Sequence, residues 1–388
     1  MNPDFHYYAT YCAATLAGYS HEDSAAIAAS DRFVDRCTET FLTTVKAPLS
    51  AATTQLPLEL VDTPADPVSL QKITRIWSSF HFLPYDLQAM PPKRCSKRYR
   101  NKYRLICRPN GELLQPTVEL AKGKNNEAIG IAMHILSDTW AHQNFAGTPS
   151  LVINNTNYYF YELIPDGDSF IERKINFRYS AFTPDDPDKS VYTQSPYYNS
   201  ENSIINLGHG RAGYLPDYSY VRFKYMPAWG EYEEIIKDNP SDYLHAFCQM
   251  ITALKYLRGT IPSFELNRYD WEAIAPYRTE IEQIIGKRQL DASEDWKAFG
   301  EKLSGQTIPP YSQEDIQEEY IRADKDKKDE TFLGKFIIAA LAQKSMITGK
   351  IFQSGNKLAG YSVDYKKKGF RGDKAYKKLL PQKEKESR

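Results

Sequence analysis

Cysteine is scarce in this chain of 388 residues, and Cys12, Cys37, Cys95, Cys107 and Cys248 form an odd set without a CxxC pair. That argues against a disulfide scaffold and against thiolate metal sites, and it makes a reduced compartment the simpler expectation. Net charge is lacking too, because 49 Lys and Arg balance 49 Asp and Glu, so global charge selects no partner. No run reaches the roughly 18 apolar residues of a spanning helix. The opening MNPDFHYYATY has neither a basic n-region nor an apolar h-region, and a soluble cytoplasmic protein is expected. Internal repeats, Walker A loops, dinucleotide fingerprints and GxSxG elbows are absent, which sets aside the P-loop, Rossmann and serine-hydrolase readings.

What is present is aromatic bulk, including 28 Tyr, and one unusual stretch, HILSDTWAHQNF, residues 134 to 145. An apolar run, Ala128 to Met133, precedes it, so the pattern predicts a buried helix. His134, Asp138 and His142 follow at four-residue steps and lie on one side of that helix. Two imidazoles and a carboxylate in an apolar setting cost several kcal/mol unless compensated, and a divalent metal is the compensation that fits best.

The rest of the chain offers further ligands. Asp4 can cap a helix over residues 5 to 17 that carries His6 and is closed by Gly18. Ser20 to Asp23 reads as a capping box opening a second helix with Asp31 and Asp35 one turn apart. A short connection makes the two an antiparallel hairpin, with His6 near Asp35 and His21 solvated at the turn. Residues 46 to 70 read as a surface connection with an extended piece at 56 to 61. His81 follows, between Phe80 and Phe82. The segment PKRCSKRYRNKYRLICR, residues 92 to 108, carries Lys93, Arg94, Arg98, Arg100 and Arg104 with no acid among them, and interleaved tyrosines give it the look of a phosphate-binding strip. Residues 150 to 225 are rich in β-branched and aromatic residues, with a hairpin turn at Pro165 to Gly167. Within them INLGHGRAGYLPD holds His209, Arg211 and Asp217 among glycines that permit tight turns. His245 lies on a later apolar helix and is read as structural. Charged helices follow, then a lysine-rich tail.

Histidine and carboxylate without thiolate is the donor set of catalytic zinc, manganese or iron. The candidates His6, Asp35, His81, His134, Asp138, His142 and His209 exceed one tetrahedral centre. Two or three ions are therefore expected, bridged by Asp35 or Asp138. Such clusters ionise a bound water and hold both oxygens of a phosphoryl displacement.

The blocks DFHYYATYCAATLAGY, IAASDRFVD, FHFLP, GIAMHILSDTWAHQNFAG and GHGRAGYLPD resemble those of a bacterial domain-of-unknown-function family, number 6765, from about residue 4 to 260. More distantly, the order His, Asp, His, His-x3-Asp, His, His resembles the zinc-dependent phospholipase C superfamily. That superfamily includes fungal single-strand nucleases and is all-helical around three zincs. The resemblance implies one metal on His6 and Asp35, a second on His81, His134 and Asp138, and a third on His142 and His209. Those enzymes use a mature N-terminal residue as a ligand; here Met1 leads, with Asp4 as a substitute. The Asp138 to His142 spacing is shorter than theirs and resembles the LHxxxDxxxH pattern of fungal heterokaryon-incompatibility proteins. His209 lacks a following His-x3-Glu, and Asp217 is the nearest acid that could serve.

These readings combine into one expectation: a mainly α-helical bundle around a metal cluster, with a small β-containing excursion around residues 150 to 225. Residues 1 to 260 would form the metal-binding domain, 261 to 360 a charged helical region able to take a protein partner, and 361 to 388 a flexible basic tail. The expected activity is hydrolysis of a phosphodiester, nuclease-like, with Asp35, Asp138 and Arg211 at the reacting centre and the strip from Lys93 to Arg104 gathering nucleic acid. The alternatives are a phospholipase C-like lipid hydrolase and a metal-stabilised effector module without catalysis.

Overall fold

The computed structural model describes residues 1–61, 67–157, 159–179, 183–196 and 199–359. The lysine-rich tail, with Lys366 to Lys368 and the Arg371-Gly372-Asp373 tripeptide, lies outside the described residues.

The helix Asn126–Ala141 is the axis of the molecule. Asn125 caps it by accepting from the Ala128 N–H, and every residue from Ile129 to Ala141 is buried. A helix apolar all round must be enclosed by others. Here His21–Val34, Pro67–Phe80, Asn239–Arg258 and Phe332–Gln353 surround it. The helix ends one residue before His142, whose N–H reaches back to the Asp138 carbonyl, so the third member of the one-face set stands at the C-terminal mouth.

Ahead of this axis the chain forms the expected hairpin of helices, with one change. Residues Phe5–Ala9 make a π turn before the α-helix Thr10–Leu16, and Asp4 caps it. Such a turn carries one extra residue and is common where a side chain must be re-aimed into a site; here it carries His6. The Ser20 cap at the second helix has its side chain on the Asp23 N–H. Residues 56 to 61 are not extended: Pro57–Val61 is a helical turn, because Glu59 reaches back to the Leu56 N–H in the manner of a capping box. Nor is the connection all surface. Residues Ala51 to Gln55 are buried, since their carbonyls serve His81 and Lys344.

A mainly α bundle with a β excursion is not what the chain builds. Four antiparallel strands form a sheet in the order β2-β1-β5-β6: β1 is Tyr161–Asp166, β2 Ser169–Lys174, β5 Arg222–Tyr225 and β6 Ile235–Asp238. A shorter parallel pair joins β3, Asn176–Arg178, to β4, Val191–Thr193. The fold therefore mixes α and β. The sheet runs past residue 225 and owns a core of Phe160, Tyr192, Leu215, Phe223 and Tyr225 that meets the helical body at Phe82 and Phe145. Strands as short as RFKY and IIKD show too few residues for alternation to reveal them.

The region after residue 260 shares the main core. Trp296, on the helix Ser293–Ser304, packs edge-on to Phe5 and beside Phe247. Phe336, on Phe332–Gln353, packs against Phe33. Among the described residues no helix is long and apolar enough to cross a membrane.

Candidate metal centre

Four segments distant in sequence meet at the inner face of the central helix. Oδ2 of Asp138 lies 3.1 Å from His81 Nδ1 and 3.2 Å from His134 Nε2, while Oδ1 lies 2.6 Å from the Met1 amino group and 3.3 Å from His6 Nε2. Asp138 is 1 % exposed. One buried carboxylate thus sits at the middle of a ring of nitrogen donors.

The outward nitrogens of these rings are already committed. His81 Nε2 donates to the Thr53 carbonyl at 3.1 Å, His142 Nδ1 to the His81 carbonyl at 2.9 Å, and His209 Nδ1 to the Gly213 carbonyl at 2.7 Å. His134 Nδ1 donates to the Asp31 carbonyl at 3.0 Å and lies 3.1 Å from its carboxylate. A carbonyl can only accept, so each of these nitrogens carries the ring proton. The inner nitrogens, His81 Nδ1, His134 Nε2, His142 Nε2 and His209 Nε2, then turn onto carboxylate oxygens. Lone pair facing carboxylate is repulsive unless a proton or a cation lies between, and an outer acceptor that fixes the tautomer is the usual support of a metal-bound histidine. His6 adds to this: it is wholly buried, and its nitrogens lie 2.7 Å from Asp31 and 3.3 Å from Asp138 without meeting hydrogen-bond geometry.

The spacings also suit a cation. Donors about 2.1 Å from a tetrahedral ion stand roughly 3.4 Å apart. His81 Nδ1 and His134 Nε2 are 3.2 Å apart, and each is 3.9 Å from Asp35 Oδ1. His142 Nε2 is 3.1 Å from Asp217 Oδ1, and His209 Nε2 3.5 Å from Asp217 Oδ2. Three donor groups result, His6 with Asp31 and His134, Asp35 with His81 and His134, and His142 with His209 and Asp217, and Asp138 lies against His6, His81 and His134. Asp35 therefore stands with His81 and His134 rather than with His6, whose near carboxylates are Asp31 at 2.7 Å and Asp138 at 3.3 Å. The ring of His6 stacks on that of His134, 3.9 Å between centroids.

Protons balance the charge in this state. Burial alone would raise Asp138, yet His142, the Met1 amine and His134 hold it well below the carboxylate range. Asp35 is likewise brought to about 2 against burial, by His134, His6, Arg32 and His81. His134 is lifted to about 10 against burial, by Asp138 and Asp35. Burial wins at His81 and His209, which are pushed down.

Local packing positions the outlying ligands. Gly213, at φ +58°, turns its carbonyl to His209, and a Cβ there would fall 1.9 Å from the Thr193 oxygen. Asn239 donates to the Leu215 and Tyr218 carbonyls and Tyr243 to that of Asp217, which pins the Asp217 turn to the helix Asn239–Arg258. Phe82 stacks on His142.

Not every expected residue joins the cluster. The carboxylate of Asp4 is occupied by the Phe5 and Ala292 N–H groups, so it cannot substitute for a terminal ligand. Arg211 is buried in the short turn after His209. His21 pairs with the Tyr11 hydroxyl, and His245 stacks on Trp140. In the basic strip, Lys93 pairs with Glu231, Lys102 is buried against Glu201, and Arg104 donates to the Ala89 carbonyl. Arg100 reaches the Met90 sulfur, so the exposed cations of the strip are Arg94, Lys97 and Arg98 together with the salt-bridged Lys93. Two further groups stand at the cluster beyond the expected ligands, Asp31 against His6 and His134, and the Met1 amine against Asp138. The four-residue step from Asp31 to Asp35 is the signal that pointed to the first.

Fold and site together define an α/β protein built around a buried cluster of histidines and aspartates. The chain belongs to the Family of unknown function (DUF6765), whose model matches residues 1–351. No curated protein and no solved structure matches it.

Proposed function

We propose that this chain is a divalent-metal-dependent hydrolase of phosphodiester bonds, nuclease-like, with zinc the best-fitting ion and manganese or iron the alternatives. The observation that carries the reading is the inward turn of four histidine nitrogens, their outer nitrogens held by carbonyls, onto the carboxylates of Asp138 and Asp217, with Asp35 beside them. The Asp35 and Asp217 groups would hold two ions, and His6, near both Asp31 and Asp138, offers a donor for a third. Bound ions supply Lewis acidity and neutralise charge on a transferring phosphoryl group. Asp35, 27 % exposed where its partners are nearly sealed, marks the open side, and Arg32 at 2.9 Å holds its outer oxygen. Arg94, Lys97 and Arg98 favour a polyanion over a lipid, and with them a nuclease over the phospholipase C-like alternative that shares the ligand order. Five free cysteines, four of them buried, support a cytoplasmic setting.

Elemental analysis of protein purified without chelator should find two or three metal equivalents. Asp138→Ala should lose metal, melt at lower temperature and cleave neither single-stranded DNA nor a generic diester. Protein that carries no metal, and melts unchanged with chelator, overturns the reading. Metal-loaded protein inert toward nucleic acid, phospholipid and generic diesters would hand the site to a non-catalytic effector module.

A further inference from the structure

A cleft of about 670 Å³ opens between the start of the helix Asn239–Arg258, β5 and the helix Arg278–Gly286. Its size falls in the range of small-molecule sites. The walls combine apolar surface from Leu244 and Ile285 with the indole of Trp271. Two arginines line it, and both are used in the same partial way. Arg222 Nε meets Asp238 at 2.9 Å and Arg278 Nε meets Glu282 at 2.8 Å. Among the described residues no hydrogen bond of a terminal Nη group is seen, and the two guanidiniums lie over the rings of Phe170 and Trp271. The acids hold the two planes in place and leave the donors that fork around an oxyanion.

His245 supplies the third element. Its Nδ1 donates to the Ser241 carbonyl at 2.7 Å, which fixes the tautomer and leaves Nε2 an acceptor. Trp140 stacks on the ring at 5.4 Å, and Tyr269 and Trp271 close its edges. A histidine held in one tautomer on a cleft wall is suited to accept from a ligand N–H or O–H.

We propose that this cleft binds a small organic phosphate monoester, its phosphate between Arg222 and Arg278 and its ring or chain on Leu244, Ile285 and Trp271. The site is independent of the metal reading, because its walls include none of the metal-centre residues.

The test is calorimetric titration of the full chain, treated with chelator, with phenyl phosphate, inorganic phosphate and phenol. Phenyl phosphate should bind with one equivalent and more tightly than either fragment. Arg222→Gln with Arg278→Gln should weaken it about tenfold or more, with the melting temperature kept within a few degrees. His245→Gln supplies a second, uncharged check and should weaken it less. Absence of binding to wild-type protein, or equal binding to the double variant, overturns the proposal. Equal affinity for inorganic and phenyl phosphate overturns the organic monoester. Binding that appears only with metal restored, and survives in the double variant, assigns the phosphate to the metal centre and also overturns it.

Discussion

Asp31 is the residue on which the two stacked rings converge. Its carboxylate lies 2.7 Å from His6 and 3.1 Å from His134, and takes the Thr10 hydroxyl at 2.6 Å. With His134 Nδ1 spent on its carbonyl as well, Asp31 orients His134 rather than competing for an ion. Asp31→Asn should therefore lower metal affinity about 10- to 100-fold while leaving a folded protein, measurable by competition with a chromophoric chelator. Affinity equal to wild type would remove Asp31 from the centre. Protonation supplies a second residue-scale expectation for the metal-free protein. His134 keeps its proton to about 10 when folded and releases it near 6.5 when unfolded, so the stability it contributes is complete below 6.5 and lost as pH rises toward 10. His81 and His209 are pushed down instead, so acid below 6.5 favours the unfolded chain. Asp35, brought to about 2 from 3.8, contributes above about 4 and loses that contribution as pH falls. Metal-free protein should thus be most stable near pH 6.5, and loaded protein should hold its melting temperature above that pH, because the ion replaces the His134 proton. Thermal melts from pH 4 to 9, with and without chelator, check this; parallel curves above 6.5 would count against it.

At the scale of elements, the close approach of His21–Val34 to Asn126–Ala141 decides where Asp31 and His134 meet. Gly130 makes the approach possible: a Cβ there would lie 2.4 Å from the Ile27 carbonyl oxygen and 2.7 Å from the Asp31 nitrogen. Backbone atoms cannot yield as a side chain can. Gly130→Ala should cost about 1–3 kcal/mol and, by parting the helices, weaken metal binding as well. Denaturant unfolding and metal titration on one preparation would show whether the two effects travel together. The pairing of Asp31 with Asp35, and of His134 with Asp138, was legible as four-residue steps on helices. The π turn at Phe5–Ala9 was not, because it differs from an α-helix by one hydrogen-bond step that no residue type signals. The hairpin β1-β2 was announced by Pro165 to Gly167, whereas β5 and β6 are too short to show a period.

At the scale of the whole molecule, composition divides the chain near residue 260, and packing does not. Trp296 is 1 % exposed against Phe5 and Phe247, and Phe336 is fully buried against Phe33, so the C-terminal helices complete the core that holds the first helix and its His6. A fragment of residues 1–260 should expose these faces and fail to fold cooperatively. A sharp thermal transition and a dispersed amide spectrum from that fragment would show the division to be real.

Residue order alone marks which side chains are chemically out of place: His134, Asp138 and His142, and Asp31 and Asp35, sit in helical runs at whole-turn spacing, without thiolates. Burial energy makes such residues conspicuous in one dimension, because an unpaired ion inside a helix has no bland use. Their grouping follows from the fold. Asp35 stands with His81 and His134, Asp217 with His142 and His209, and Asp31 behind His6, because these partners come from different segments whose approach depends on packing rather than on spacing. The same holds for the ring tautomers: each is set by the carbonyl of Thr53, Asp31, His81 or Gly213, and backbone oxygens carry no residue identity for a sequence to display.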